Sequence, residues 1–123
     1  MNQTNVRAAR GAIRVPSDTP EGVLGATERL LGSMLERNGV EDAADLVSVF
    51  FTVTEDLRSV FPAEAARQMG LGSVPLMCAQ EIPVAGAMPR VVRILMLFHT
   101  ARAQAEVVHP YLDGAESLRD DLG

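Results

Sequence analysis

Two charged residues interrupt the most apolar part of the sequence, and they are the first candidates for chemistry. Arg93 lies inside the apolar run of residues 91–98, and Glu81 follows a shorter run at residues 74–78. An unpaired buried charge is very costly, so Arg93 needs a carboxylate partner or an anionic ligand. One interpretation is an internal ion pair with Glu81; the other is a guanidinium aimed at a bound anion in a dry pocket. The charge pattern alone favours the ion pair, because structural ion pairs leave the same pattern.

The other polar candidates do not form a familiar catalytic set. The sequence has no nucleophile–base motif and no glycine-rich phosphate loop. Two histidines ten residues apart and one cysteine give no convincing metal-ligand spacing. The cysteine lies in an apolar run, where a lone cysteine usually acts as a small hydrophobe. Anion recognition is therefore favoured over covalent or metal chemistry, and the candidate set is Arg10, Cys78, Glu81, Arg93 and Tyr111.

Strands must position most of these side chains. The apolar runs at 74–78 and 91–98 flank a loop that contains Pro83, Gly86 and Pro89, which predicts two buried strands. Residues 7–15 read as a first strand that carries Arg10, with Gly11 permitting close backbone approach. Residues 46–54 are β-branched and aromatic. Their near-continuous apolarity predicts a strand buried on both faces, or one face in a subunit interface.

A long helix is predicted between the first two strands. Asp18 and Glu21 have capping-box spacing, and Pro20 suits the first helical turn. Apolar residues then recur at helical spacing from 23 to 35, with charges on the other face. Asn38-Gly39 is a typical helix end. The apolar stripe predicts that this helix covers a sheet.

A short helix is predicted at residues 63–69, where Gly70 stops it. On it, Arg67 and Glu64 have the i, i+3 spacing of a helical ion pair. Together these elements predict an α/β (α+β) fold in which a small mixed β-sheet packs with one long and one short helix.

Length and composition limit the class of protein. The 123 residues predict one domain, 1–123, with flexible ends at 1–5 and about 115–123. A single cysteine fits a reducing compartment, so a cytoplasmic location is expected. The sequence has no apolar signal region and no run long enough to cross a membrane. A net charge of −5 argues against nucleic acid as a partner, although a small anionic ligand remains possible.

Several motifs, spread in order over nearly the whole chain, resemble the monofunctional AroH class of chorismate mutases. The resemblance runs from about residue 6 to residue 122, and the family has this length. The matching segments are 6–12 (VRAARGA), 52–57 (TVTEDL), 60–63 (VFPA), 65–67 (AAR), 78–81 (CAQE), 83–86 (PVAG), 89–94 (PRVVRI), 109–112 (HPYL) and 117–122 (SLRDDL).

This resemblance implies a reaction without cofactor, metal or proton transfer. Chorismate rearranges to prephenate in an intramolecular Claisen reaction, in which negative charge builds on the ether oxygen. A cation fixed at that oxygen stabilises the transition state more than the ground state. The resemblance also implies a homotrimer, a trimeric pseudo-barrel with active sites between neighbouring subunits.

The resemblance assigns roles to individual residues. Arg93 would meet the ether oxygen and a carboxylate, whereas Arg10 and Tyr111 would hold the carboxylate of the enolpyruvyl arm. Glu81 and Cys78 would contact the ring hydroxyl. The remaining implied contacts are an apolar wall of Phe61, Ala63, Leu76 and Leu118, with Arg67 and Arg119 near the mouth. The neighbouring subunit would contribute around Phe61, Ala63 and Arg67.

Four positions depart from the family pattern. Met77 stands where a threonine can contact substrate, and Glu64 where a lysine can occur. Pro110 replaces a usual valine, and Asp120 replaces a proline after Arg119. The last change puts closure of the tail over the site in question.

Two other functions compete with this one. A trimeric enzyme of the enamine/imine deaminase type would also use an interfacial arginine, but its motifs are not found here. A non-catalytic module that binds a metabolite would keep Arg10 and Arg93 without needing the Glu81–Cys78 pair. The presence of all five polar candidates favours catalysis.

Overall fold

A five-stranded mixed sheet is the central element of the computed structural model, which describes residues 3–122. The strands are β1 (Asn5–Arg14), β2 (Leu46–Val53), β3 (Leu76–Gln80), β4 (Val91–Thr100) and β5 (Tyr111–Leu112). Their order across the sheet is β3-β2-β4-β1-β5. Strand β4 is antiparallel to both β1 and β2, whereas β3 is parallel to β2 and β5 is parallel to β1. The mixed sheet predicted from the sequence is confirmed.

Two α-helices accompany the sheet, as predicted. They are α1 (Pro20–Arg37) and α2 (Ala63–Gln68). Short 3₁₀ turns cover Ala43–Asp45, Gln104–Glu106 and Glu116–Leu122. Helix α1 ends at Arg37, Asn38 is its C-cap, and Gly39 follows at a positive φ of 69°, the conformation that glycine tolerates best.

The predicted capping box at the start of α1 is wrong. Thr19 is the N-cap, and its hydroxyl accepts a hydrogen bond from the Gly22 N–H at 3.0 Å. Asp18 lies outside the helix, where its carboxylate accepts from the backbone N–H groups of Arg58 and Ser59 at 3.1 Å. A hydrogen bond from the Ser59 side chain is the main reason that the pKa of Asp18 is lowered. Asp18 therefore fixes the position of the loop between β2 and α2 by these hydrogen bonds.

One face of the sheet packs against the helices and forms the core. The largest fully buried side chains there are Ile13, Leu30, Leu31, Met34, Phe51, Ile94, Met96 and Phe98. The opposite face, called the outer face below, carries Phe50 and Leu95, which are 37% and 38% exposed. Burial of β2 on both faces is therefore wrong for the single chain, because Phe51 points into the core and Phe50 points away from it.

Gly11 allows β5 to lie against β1. A Cβ at Gly11 would come within 2.8 Å of the Pro110 carbonyl oxygen and 2.9 Å of Met34 Sδ. That carbonyl accepts a hydrogen bond from the Ala12 N–H at 3.1 Å. The predicted close approach at Gly11 is confirmed, and it brings β5 next to the strand that carries Arg10.

The ends of the chain add little to this core. The predicted flexible ends, 1–5 and about 115–123, include residues 1, 2 and 123, which lie outside the described residues. Within the described part, β1 begins at Asn5 and the last 3₁₀ turn covers Glu116–Leu122. Among residues 3–122, no helix has both the length and the apolarity needed to cross a membrane.

Candidate active site

Arg93, Glu81 and Thr52 meet on the outer face of the sheet. Thr52 and Arg93 are direct cross-strand partners on β2 and β4. Arg93 Nε lies 3.5 Å from Glu81 Oε2, and the Thr52 hydroxyl donates a hydrogen bond to the same oxygen. The side chains of Arg93 and Glu81 are 40% and 30% exposed. The ion pair suggested by the charge pattern is present, but full burial of Arg93 is wrong for the single chain.

The ion pair leaves the guanidinium available to a ligand. At 3.5 Å the contact with Glu81 is too long for a hydrogen bond, and the Arg93 side chain makes no hydrogen bond to any of residues 3–122. The Thr52 hydroxyl holds the same carboxylate oxygen that faces Arg93. A fixed carboxylate therefore orients the arginine without saturating its five donors.

Arg93 lines a cavity of about 270 Å³, called the outer-face cavity below. Phe50 and Leu95 form apolar parts of its wall. Two cations, one carboxylate and one phenol give a surplus positive charge beside apolar surface, which suits an anion with a hydrocarbon body. The structure brings together four of the predicted site residues at this cavity: Arg10, Glu81, Arg93 and Tyr111.

Tyr111 is fixed by a small apolar cluster at the edge of the outer face. Its side chain is buried and packs with Ala12, Val91 and Ala115. Leu118, another predicted site residue, packs against the same cluster. The last 3₁₀ turn of the chain therefore lies beside the tyrosine.

His109, one of the two histidines without a metal-ligand spacing, contacts Arg10 at the site. Its Nδ1 accepts a hydrogen bond from the backbone N–H of Arg10 at 3.0 Å. Desolvation lowers the pKa of His109 below 6.5, and the positive charges of Arg10 and Arg119 lower it further. The imidazole is therefore neutral at pH 7, and Arg119 lies close enough to act on it electrostatically.

The remaining predicted residues surround a second cavity of about 270 Å³, called the α2 cavity below. Arg67 forms the predicted ion pair with Glu64 at 3.1 Å. Phe61 is 73% exposed. This cavity shares no lining residue with the outer-face cavity, and it is lined by Phe61, Ala63, Arg67, Leu76, Met77 and Cys78.

Cys78 is therefore not brought together with Glu81 on one face of the sheet. Cys78 is the register partner of Phe51, whose side chain lies in the core. Side chains alternate along a strand, so Glu81, three residues later, lies on the opposite face. Thr52 and His109 are polar residues at the site that the sequence interpretation missed, and it also missed the apolar wall residues Phe50 and Leu95.

Comparison with known proteins identifies the kind of molecule that this site belongs to. The chorismate mutase type I family matches residues 6–122, which is nearly the entire chain. The chain belongs to this family. It is therefore a chorismate mutase, an isomerase, as the motifs had suggested.

Individual chorismate mutases are similar over almost their full lengths. The AroH chorismate mutase of Thermus thermophilus is 55% identical over 117 residues, covering 95% of this chain and 96% of that protein. The AroH chorismate mutase of Bacillus subtilis (strain 168) is 37% identical over 118 residues, covering 95% of this chain and 92% of that one. A solved chorismate mutase structure from Clostridium thermocellum superposes with a TM-score of 0.87 at 42% identity, covering 89% and 97% of the two chains.

Proposed function

We propose that this chorismate mutase converts chorismate to prephenate at the outer-face cavity, with Arg93 as the principal catalytic residue. The observation that carries the proposal is the convergence of Arg10, Arg93, Glu81 and Tyr111 on one cavity with an apolar wall. Chorismate is a dicarboxylate with a hydrocarbon ring, so this combination of charges and apolar surface fits it. Among the described residues, no group of three or more His, Cys, Asp or Glu side chains could hold a metal ion.

Electrostatic stabilisation is one half of the proposed mechanism. As the carbon–oxygen bond of the ether breaks, negative charge grows on the oxygen. Arg93 donates to that oxygen, and its charge stabilises the transition state more than the ground state. Glu81, held by Thr52, fixes the guanidinium in the required orientation.

Restriction of the flexible substrate is the other half. Arg10 and Tyr111 bind the carboxylate of the enolpyruvyl arm and hold the arm over the ring. One reactive conformer then replaces many unreactive ones. An acceleration of about a millionfold requires about 8 kcal/mol, which we divide between this restriction and the electrostatic effect.

Neighbouring subunits complete the pocket in a homotrimer. The outer-face and α2 cavities share no residue, so a second copy is needed to place Phe61, Ala63 and Arg67 against the substrate held by Arg93. The exposed apolar side chains Phe50 and Leu95 support assembly through the outer face. In that arrangement Leu76 and Cys78, which line the α2 cavity, come from the neighbouring copy, so that its Cys78 meets the ring hydroxyl across the interface from Glu81. Leu118 adds to the apolar wall, and Arg119 lies near the mouth.

The cellular setting follows from the same reaction. We place the enzyme in the cytoplasm, where the free Cys78 stays reduced and where phenylalanine and tyrosine are synthesised from prephenate. The whole chain acts as one chorismate mutase domain, since the family match extends from residue 6 to residue 122.

A direct assay tests the proposal. Purified protein is mixed with chorismate, the loss of chorismate ultraviolet absorbance is followed, and prephenate is identified as the product. We expect rapid loss with the native chain and almost none with Arg93→Ala. Equal rates in the two proteins would rule out Arg93 as the catalytic residue. No reaction by a folded trimer would leave a pocket that binds metabolites without converting them.

A further inference from the structure

Arg14 is a partly buried arginine that the proposed mechanism does not use. It lies on β1 opposite Val91, four residues beyond Arg10 on the same face of the sheet. Its stem packs against Gly114, where a Cβ would come within 3.4 Å of Arg14 Cδ. Arg14 Nε is buried and has no hydrogen-bond partner among residues 3–122. A buried charged donor without a partner is costly, which indicates a missing counter-charge.

Arg14 opens onto a cavity of about 360 Å³ with two other arginines. Arg29 and Arg90 line the same cavity, together with one acidic residue, Asp113. Arg29 forms an ion pair with Asp113 at 2.8 Å, so one of the three positive charges is balanced locally. Two positive charges remain for whatever occupies the cavity.

Arg90 is held in place by both its backbone and its side chain. Its Nε donates to the Val15 carbonyl oxygen at 3.0 Å, and its own carbonyl accepts from the Val15 N–H at 2.7 Å. The Arg90 N–H donates to the Asp56 carboxylate at 3.0 and 3.2 Å. Arg90 has a φ of +54°, which is unusual for a residue other than glycine and is found where the surroundings fix a functional side chain.

We propose that Arg14, Arg29 and Arg90 form a second anion-binding site, which takes a small doubly charged oxyanion. Guanidinium groups bind phosphate and carboxylate oxygens through paired N–H donors, and two surplus charges match a dianion. The ligand is a phosphate group or a dicarboxylate, which share this chemistry.

This site is separate from the outer-face cavity. The two cavities have no lining residue in common. Arg10 and Arg14 are four residues apart on a strand, which places their Cα atoms roughly 13 Å from each other. Because Arg10 lines only the outer-face cavity and Arg14 only the other one, the second site binds its own ligand.

Calorimetric titration tests the site. Inorganic phosphate and malonate are titrated at pH 7.5 and constant ionic strength into the native protein, Arg14→Met and Arg37→Met. Arg14→Met keeps the stem and removes the charge, whereas Arg37→Met removes an equal charge from the exposed end of α1. We expect saturable one-to-one binding to the native chain and to Arg37→Met, and affinity about tenfold or more lower in Arg14→Met. The dianion that binds more tightly identifies the ligand class.

A second variant tests the same site without touching Arg14. Asp113→Asn releases Arg29 from its ion pair and raises the surplus charge, so we expect it to tighten binding of the dianion. Light scattering on each variant reports its assembly state. The proposal is overturned if neither dianion binds the native chain, if Arg14→Met binds as tightly as the native chain, or if Arg14→Met only breaks the assembly because a neighbouring copy supplies the counter-charge.

Discussion

His109 Nδ1 and the backbone nitrogen of Arg10 are joined by a 3.0 Å hydrogen bond. The Ala12 N–H and the Pro110 carbonyl already join β1 to the segment that leads into β5, and the Arg10–His109 bond adds a second hydrogen bond between them. It requires an unprotonated Nδ1, because a protonated imidazole has no acceptor. The position of Arg10, which we propose binds the substrate carboxylate, is thus linked to the protonation state of His109.

This link predicts a loss of activity in acid. The folded pKa of His109 is lowered from 6.5, so the unfolded chain binds the proton more readily than the folded one. The resulting contribution to stability is complete above pH 6.5 and is lost as the pH falls from 6.5 through the folded pKa. Protonation also adds a cation next to Arg10 and Arg119. We expect kcat/KM and Tm to fall together over this range, measured between pH 5 and 8.

Two variants separate this effect from ordinary acid unfolding. His109→Asn supplies an amide oxygen that does not titrate, so the acid decline in kcat/KM attributed to His109 should disappear while activity at pH 7.5 stays close to native. His109→Leu has no acceptor and should raise KM at every pH. An unchanged acid decline in His109→Asn would show that another group causes it.

Replacing Arg93 with lysine should impair catalysis far more than folding. The forked guanidinium becomes a single ammonium that cannot contact both the ether oxygen and a carboxylate. We expect kcat to fall about a hundredfold to a thousandfold, the cost of losing one oxyanion donor. Because the side chain is 40% exposed, the free energy of unfolding should change by less than about 1 kcal/mol. Kinetics and urea unfolding measure the two effects, with Arg37→Lys as the exposed control, and near-native kcat would exclude the mechanism.

Thr52 should contribute to catalysis through Glu81. Its hydroxyl donates to the oxygen of Glu81 that faces Arg93, so Thr52→Val frees the carboxylate without changing the size of the side chain. We expect kcat/KM to fall about tenfold, the value of a hydrogen bond to a charged group. Thr52→Ser keeps the hydroxyl and should restore most of the activity. If Thr52→Ser is as impaired as Thr52→Val, the methyl group matters instead of the hydrogen bond.

Gly11 and Gly32 provide a matched pair of glycine-to-alanine substitutions. At Gly11 a Cβ would meet the Pro110 carbonyl oxygen at 2.8 Å, whereas at Gly32 on α1 no atom lies within 4 Å apart from the adjacent residues and the backbone of the helix itself. We expect Gly11→Ala to lower the free energy of unfolding by about 1–3 kcal/mol and to displace β5 with Tyr111. Gly32→Ala should raise it by about 0.5–1 kcal/mol. Urea unfolding measures both, and a Gly11→Ala protein as stable as Gly32→Ala would contradict the close approach of β5.

The sheet, the helices and most polar candidates were predictable because they depend on local patterns. An apolar run next to a loop rich in proline and glycine identified the strand that carries Arg93, β-branched and aromatic residues identified β2, and helical spacing identified α1. The capping box was mispredicted because two residues, Asp18 and Thr19, could both cap α1. Which of them does so depends on the loop at Arg58, far away in sequence.

Pairing between strands that are distant in sequence brought Thr52 and His109, two polar residues that were missed, to the site. Thr52 contributes because β2 pairs with β4 so that Thr52 faces Arg93. His109 contributes because β5 returns next to β1, about a hundred residues later in the chain. Neither pairing leaves a signal in the residues next to these positions.

The sequence by itself determined the family, the fold class and the residue types that can bind a dianion, since these depend on composition, spacing and motif. Only the tertiary structure decided that Arg93 is half-exposed, that Glu81 is held by Thr52, and that Cys78 lies on the opposite face from Glu81. The reason is that strand order and register determine which distant side chains meet. A register shift of one residue would move every side chain of a strand to the opposite face of the sheet.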